Sequence, residues 1–265
     1  MDAKELYKKI EQGIIDCTNS DKYKTYLKIM SRFSSYSSNN IMLISLQMPN
    51  ATHLAGATAW KSKFERHVKK GEKGICILAP LRKKSEETDD EGSPVYKLVG
   101  FRVVHVFDIS QTEGKPLPQL TTELIGDVSN FDTILEALKN IASIPVTCTN
   151  DLGTAYGAYS SINKCIYLRN GLGQMQQIKT LIHEIAHSRL HSDNQTGVVP
   201  AEVEAESVAY TVCSYLGIDT GEYSFGYITA WSSGDTEILQ KSFSRIHKTA
   251  KRIISELEKE LNHGR

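Results

Sequence analysis

Two histidines and a glutamate in the run H-E-I-A-H at 183–187 are the residues of this chain best suited to chemistry. On a helix, side chains four positions apart lie on one face, so His183 and His187 can bind the same metal ion. Glu184 lies beside them, where its carboxylate can take a proton from a metal-bound water. No Gly or Pro interrupts residues 176–190, and apolar residues recur there at helical spacing, which predicts a helix. The alternative is an ordinary helix that carries two histidines by chance.

A third protein ligand is needed, because catalytic zinc usually has three and keeps one position for water. The segment P-A-E-V-E-A-E-S-V-A-Y at 200–210 predicts a second helix, with its proline in the first turn. Glu202 and Glu206 share a face, whereas Glu204 points away from both. The spacing suggests Glu202 as the ligand and Glu206 as an acceptor that orients a ligand histidine. Alternatively, all three are acids enriched near a helix N-terminus, where the helix dipole favours them.

Three further residues stand near this motif in the sequence or in the proposed chemistry. His191 continues the four-residue series, but a continued helix rotates it about another 40° from the metal axis. It is therefore predicted to lie on the surface or just behind the ligands. Tyr223 or Tyr227 is a candidate to stabilise the oxyanion of a peptide-bond hydrolysis.

The elements that must position these residues predict an α+β fold in two domains. The first half predicts amphipathic helices at 2–17, 21–34, 37–48 and 57–68, and two paired strands at 75–81 and 96–107 joined by a charged loop at 82–94. The second half predicts a helix at 131–141, strands at 146–149 and 165–169, the two metal-site helices, and a long terminal helix from about 236. Gly and Pro at 111–119 are typical of a linker, so we expect domains at 1–120 and 121–265.

Composition excludes several classes. The 265 residues include 31 Lys+Arg and 31 Asp+Glu, so net charge indicates no partner. No run approaches the roughly 18 apolar residues of a membrane span, and the charged N-terminus is unlike a signal peptide. The five cysteines are scattered without a C-x-x-C pair, which is typical of thiols in a reducing cytosol. We therefore expect a cytoplasmic protein without a membrane partner.

Basic residues cluster between 61 and 84, interleaved with aromatic rings. Cations that follow phosphates and rings that stack on unpaired bases are what single-stranded nucleic acid requires. The candidate contacts are Trp60, Arg66, Lys69, Lys70 and Lys73. The alternative is a solvated helix face with Trp60 buried, and the acidic run at 86–91 weakens the positive field.

Short sequence motifs along the chain resemble those of two known families. The motif at 183–187 followed by E-V-E-A-E at 202–206 resembles the gluzincins, which implies His183, His187 and Glu202 as Zn²⁺ ligands and Glu184 as general base. The words F-S-S-Y-S-S-N-N (33–40), A-G-A-T-A-W (55–60), H-V-K-K-G-E-K-G (67–74) and V-F-D-I-S-Q-T-E-G (106–114) resemble the N-terminal domain of ArdC-type antirestriction proteins of conjugative elements.

The ArdC resemblance implies an N-terminal helical and β-hairpin domain that binds single-stranded DNA, followed by a zincin-like metallopeptidase domain. It further implies protection of incoming mobile DNA from host restriction, with single-stranded DNA and a protein or peptide substrate as partners. Two alternatives stay open: a regulatory metallopeptidase that cleaves a mobile-element repressor, and a single-stranded-DNA-binding protein whose zinc is not catalytic.

Overall fold

A computed structural model of the protein describes residues 2–88, 94–117, 130–192, 197–218 and 236–263. The chain forms two compact units, Met1–Ile15 with Asn39–Pro118, and Asp16–Ser38 with Gln119–Arg265. Each unit combines helices with small sheets, as the predicted two-domain α+β class requires. The division at residue 120 stays a proposal, since residues 16–38 pack within the second unit.

The described helices, in chain order, are α1 (Ala3–Asp16), α2 (Ser20–Arg32), α3 (Ser38–Gln47), α4 (Ala57–Phe64), α5 (Phe131–Ala142), α6 (Gln174–Leu190), α7 (Val198–Tyr215) and α8 (Thr236–His263). The described strands are β1 (Leu54–Ala55), β2 (Arg66–Val68), β3 (Ile75–Thr88), β4 (Pro94–Asp108), β5 (Thr112–Gly114), β6 (Val146–Thr149), β7 (Gly157–Ser160) and β8 (Cys165–Arg169). None of these helices is long and apolar enough to cross a bilayer.

A long antiparallel hairpin of β3 and β4 dominates the first unit, and β1 pairs with the other edge of β4. The predicted loop at 82–94 is wrong for its first part, because residues 82–84 continue the pairing with 96–98 beyond a register shift after Leu81. Neither face of this outer hairpin is buried, so its side chains show no apolar alternation. That alternation is the signal by which a strand is recognised in a sequence.

The helix predicted at 57–68 ends four residues early. Glu65 adopts a left-handed conformation (φ 54°, ψ 37°) that caps α4, and β2 then pairs with β5. Gly114 makes the close approach of these strands feasible, because a Cβ there would lie 2.6 Å from the Glu65 carbonyl oxygen. Tertiary pairing thus overrides the helical pattern of residues 66–68.

The core of the first unit lies between α1, α3 and the inner half of the hairpin. Gly13 of α1 lets α3 come close, since a Cβ there would lie 2.8 Å from side-chain atoms of Met42 and Leu46. The buried Asn40 amide bonds both backbone groups of Leu78, at 2.9 Å each. These contacts fix α3 against both α1 and β3.

The described residues of the second unit form a three-stranded sheet and five helices. The central strand β8 is parallel to β6 and antiparallel to β7, which is an edge strand among those described. α2 packs on α7 and α8: the Tyr23 hydroxyl lies 2.7 Å from Ser207 Oγ, and the rings of Tyr23 and Tyr26 stack on Phe243. This packing places α2 in the same core as the helices that carry the candidate site.

Candidate metal centre

The two helices that carry the candidate ligands pack against each other. α6 begins after Gly173 and buries Ile178, Leu181 and Ile185, which leaves His183 and His187 together on the side that faces α7. The i, i+4 spacing on one helix therefore determines which histidine atoms can converge.

α7 begins two residues before the predicted segment, and Pro200 lies within its first turn as expected. Its first residue is Val198, so Pro200 lies at the third helical position and no acid occupies the first turn. The explanation of Glu202, Glu204 and Glu206 as acids placed by the helix dipole is therefore wrong, since that effect fades within one turn.

Three side chains converge on one point. The Nε2 atoms of His183 and His187 lie 3.0 Å apart. The Glu202 carboxylate is 3.4 Å from the first nitrogen through Oε2 and 3.3 Å from the second through Oε1. Tetrahedral ligands at about 2.0–2.1 Å from a zinc ion would be separated by roughly 3.3 Å. The donor atoms thus already have the spacing that a divalent ion requires, and the two-nitrogen, one-carboxylate set suits zinc chemically.

His183 is held from behind by a carboxylate. Its Nδ1 lies 3.1 Å from Glu206 Oε2, and Lys179 Nζ approaches the other oxygen of Glu206 at 3.7 Å. Burial lowers the pKa of His183, but the hydrogen bonds with Glu202 and Glu206 outweigh it and raise the pKa to about 9. The pKa of Glu202 is held far below its usual range by hydrogen bonds from both histidines. This electrostatic coupling shows how strongly the cluster favours a positive charge at its centre.

His187 is held from behind by another histidine. Its Nδ1 lies 3.2 Å from Nδ1 of His191, whose Nε2 lies 3.0 Å from Glu204 Oε2. Glu204 is fully buried and also bonds Ser242 and Arg245 of α8. The predicted location of His191 just behind the ligands is confirmed, whereas its link to Glu204 and α8 was not predicted. The surface location considered for His191 is wrong, because its ring is buried.

Glu184 is buried next to the ligands. Burial raises the pKa of Glu184, while His183, His187 and the backbone N–H of Tyr159 act in the opposite direction. A carboxylate with a raised pKa beside a metal site is well suited to accept a proton and release it again. Glu184 therefore has the environment of a general base.

An open cleft of about 610 Å³ leads to this cluster. Residues of the β7 segment form one wall, and the ligand helices form the other. The lining residues include Ala155, Gly157, Ala158, Tyr159, Glu184 and Ala201. Tyr223 and Tyr227, the candidates for oxyanion stabilisation, lie outside the described residues.

Of the predicted DNA contacts, Trp60 requires a correction. Its ring is 1% exposed and its Nε1–H donates to the Phe107 carbonyl at 2.8 Å. The ring cannot stack on a base from this position, so its part is structural. Phe64, which packs on Trp60 at 5.1 Å between ring centroids, is the exposed aromatic residue of this helix.

The basic candidates divide into two groups. Arg66 is largely used inside the unit: its guanidinium donates to backbone oxygens of Thr112, Gly114 and Lys115 and to the Thr112 hydroxyl. By contrast, the predicted lysine contacts are exposed, and one of them bonds the Ser110 carbonyl at 2.8 Å through its ammonium group. These exposed candidates are Lys69, Lys70 and Lys73. Their contact with DNA stays a prediction.

Two family models match the chain. Residues 3–107 match the N-terminal domain of anti-restriction factor ArdC, and residues 143–216 match the IrrE N-terminal-like domain of the M78 peptidase family. Together the two models give the chain the domain content of the ArdC-type family. The second match covers both ligand helices, so the metal-site motif lies within a metallopeptidase-like domain.

Solved structures have the same fold. The antirestriction protein ArdC from the R388 plasmid matches in its Mn(II)-bound form with a TM-score of 0.58 at 16% identity, over 97% of this chain and 98% of that one. Its metal-free form matches with a TM-score of 0.54 at 17% identity, over 86% of each chain.

A sequence relative is a protein of Bacillus anthracis described as uncharacterized, pXO2-81. It is 28% identical over 98% of this chain, and the alignment covers 52% of the relative. The chain thus spans about half the length of that relative.

Proposed function

We propose that this ArdC-type protein binds single-stranded DNA through its first unit and hydrolyses peptide bonds at a zinc site in its second unit, in the service of antirestriction. The convergence of His183, His187 and Glu202, with Glu184 beside them, is the observation that carries the hydrolytic part.

Zn²⁺ would be held by those three ligands, with a fourth position for water. A bound zinc ion supplies Lewis acidity and lowers the pKa of its water to about 7. Glu184, buried beside these residues, would accept a proton from the attacking water and pass it to the leaving amine. The Mn(II)-bound form of the R388 protein supports a divalent ion in this protein as well, and the nitrogen-containing donor set favours zinc here.

The substrate in this proposal is an extended peptide. β7 is an edge among the described strands and borders the cleft, so its outer backbone groups can pair with an added strand. Such pairing would hold a scissile carbonyl near the ligands with little dependence on side-chain sequence.

The DNA-binding surface that we propose comprises the lysine turn and the outer β3–β4 hairpin. On the hairpin, Arg82 lies opposite Leu98 and Lys84 lies opposite Tyr96, so cations and apolar groups share one face. Tyr96 is 58% exposed and Phe101 41% exposed. Exposed rings beside cations match the stacking and phosphate contacts of single-strand binders. The ion pair between Lys97 and Glu87 removes part of the positive charge.

A Glu184→Gln variant tests the hydrolytic part, because glutamine fills the same space without accepting a proton as a base. We expect zinc content and oligonucleotide binding to match the wild type, and cleavage of a fluorescently labelled unfolded protein to be lost. Transfer of a plasmid into a restricting host should lose its protection as well. If protection survives in this variant, hydrolysis does not serve antirestriction. Cleavage of a coexpressed repressor that disappears in the variant would support the regulatory-peptidase alternative.

Salt dependence tests the DNA-binding part. Affinity for a single-stranded oligonucleotide should fall steeply with salt concentration, and the double variant Lys69→Ala/Lys70→Ala should lower the slope by about 1 to 2. Replacing Tyr96 by alanine should weaken binding with the slope unchanged, since base stacking contributes about 1–3 kcal/mol. Duplex DNA of equal length is the control. Binding that is independent of salt, or equally tight to duplex, would contradict the proposal.

A further inference from the structure

The two ligand histidines are supported differently. His183 meets a carboxylate directly through its Nδ1, whereas the Nδ1 of His187 meets the Nδ1 of His191 at 3.2 Å. Peptide hydrolysis as proposed above uses neither His191 nor Glu204, although both are buried. These residues therefore require an explanation of their own.

The direction of each hydrogen bond follows from metal binding. To bind an ion through Nε2, His187 must keep its proton on Nδ1 and donate it. His191 must then accept at Nδ1 and carry its own proton on Nε2, where it donates to Glu204 at 3.0 Å. The reverse direction would place a proton on Nε2 of His187 and block the lone pair that the metal needs.

Glu204 is anchored so that it can only accept. Its carboxylate is fully buried and takes hydrogen bonds from the Ser242 hydroxyl and the Arg245 guanidinium on α8, besides His191. A buried carboxylate held by three donors is a fixed acceptor, and a fixed acceptor determines which tautomer of His191 is present.

We propose that His191 is a positioning residue: Glu204 fixes its tautomer, so that its Nδ1 accepts the Nδ1 proton of His187. In this way His191 sets the metal affinity and links the metal site to α8. The inference rests on the metal site of the proposed function. It assigns to α8 an effect on metal affinity, although the described part of α8 contributes no ligand to the candidate cluster.

Two nearly isosteric substitutions distinguish the His187–His191 hydrogen bond from the His191–Glu204 hydrogen bond. In His191→Asn, the amide oxygen can replace Nδ1 as acceptor for His187, but the side chain no longer reaches Glu204. In His191→Gln, the terminal amide can still donate to Glu204, but the acceptor next to His187 is lost. His191→Leu removes both links, and Ser242→Ala is a control that removes one distant donor.

Zinc affinity, measured by competition with a chromophoric chelator, should decrease in the order wild type, Asn, Gln, Leu. We expect the Leu variant to bind zinc about 10–100-fold more weakly, the usual effect of losing the partner of a ligand histidine. The Asn variant should recover most of that loss. Urea unfolding of the metal-free proteins measures the structural effect separately, and a role confined to packing would not place Asn above Gln in zinc affinity.

The tautomers of both histidines can also be measured in the wild-type protein, so this test does not depend on whether a variant folds. In the zinc-loaded protein, ¹H–¹⁵N spectra of the imidazoles should show His187 protonated at Nδ1 and His191 protonated at Nε2 alone. A His191 protonated at Nδ1 would overturn the inference, as would equal zinc affinity of the wild type and the Leu variant. A wild type that binds no zinc would instead refute the metal site of the proposed function.

Discussion

Gly157 determines how closely β7 can approach the metal-site helix. A Cβ at this position would lie 2.5 Å from Thr180 Cγ2 and 3.1 Å from both Cγ and Oε1 of Glu184. Carbon atoms in favourable contact are about 3.5–4.0 Å apart, so Gly157→Ala forces a separation of at least about 1 Å at Thr180. The strand, the helix or the general base must therefore move.

The expected magnitudes follow from that displacement. Adding a methyl group to a packed interior costs about 1–3 kcal/mol of unfolding free energy. Displacing a catalytic group by about 1 Å can reduce the rate of hydrolysis by about 100-fold. Zinc affinity should change little, because the added methyl group contacts none of the three ligands.

The control is Gly173→Ala, in the same unit. A Cβ at Gly173 has no atom within 4 Å, and the backbone (φ −60°, ψ 151°) accommodates any residue. Gly173→Ala should lower the unfolding free energy by less than about 1 kcal/mol, as expected for a changed N-cap. Urea unfolding, chelator competition and the cleavage assay would be run on both variants. Equal stability and equal cleavage in the two variants would refute the steric reasoning.

Three further predictions concern single side chains. Asp108 accepts three backbone N–H bonds, which lower its pKa against the effect of burial, so its contribution to stability is complete above about pH 4 and is lost as pH falls through the folded pKa. Asp108→Asn should therefore destabilise by about 1.5–3 kcal/mol at pH 7 in urea titrations and by less at pH 3, and an equal gap at both pH values would contradict this. Trp60→Phe should lower unfolding free energy by about 1–3 kcal/mol, because the Phe107 carbonyl loses its donor, and should leave oligonucleotide affinity unchanged; weaker binding with intact stability would restore Trp60 as a DNA contact. Glu206→Gln should weaken zinc binding about tenfold by removing the charge behind His183, and unchanged affinity in chelator competition would exclude that support.

The grouping of His183, His187 and Glu202 could be expected from helical spacing, although spacing alone left open whether the glutamates were ordinary acids near a helix start. Both histidines lie on one helix, and the glutamate is set by its i, i+4 partner on the next, so the geometry depends on helical periodicity. Long helices are also the elements in which periodicity is clearest. Periodicity fails as a guide for the outer hairpin, because neither of its faces is buried and its side chains therefore do not alternate. Its strands are defined by backbone pairing alone.

His191 shows why the support of the candidate ligands could be anticipated only in part. α6 ends at Leu190, and His191 has the non-helical conformation φ −129°, ψ 27°. Extending the helix by one more residue therefore could not decide between a surface location and one behind the ligands. Two of the donors to Glu204 lie on α8, 38 and 41 residues further along the chain. No local sequence pattern predicts a partner at that separation.

The three glutamates of α7 differ in exposure and in contacts, although they are close together in the sequence. Their side chains are 58%, 0% and 28% exposed for Glu202, Glu204 and Glu206 respectively. The most exposed one faces the cleft, where a ligand must leave room for water and substrate. Glu206 supports His183 from the side, and Glu204, nearly opposite on the helix, reaches His187 only through His191. Because one ligand histidine is supported within the α6–α7 pair and the other through α8, loss of α8 packing should weaken zinc binding even where both ligand helices remain intact.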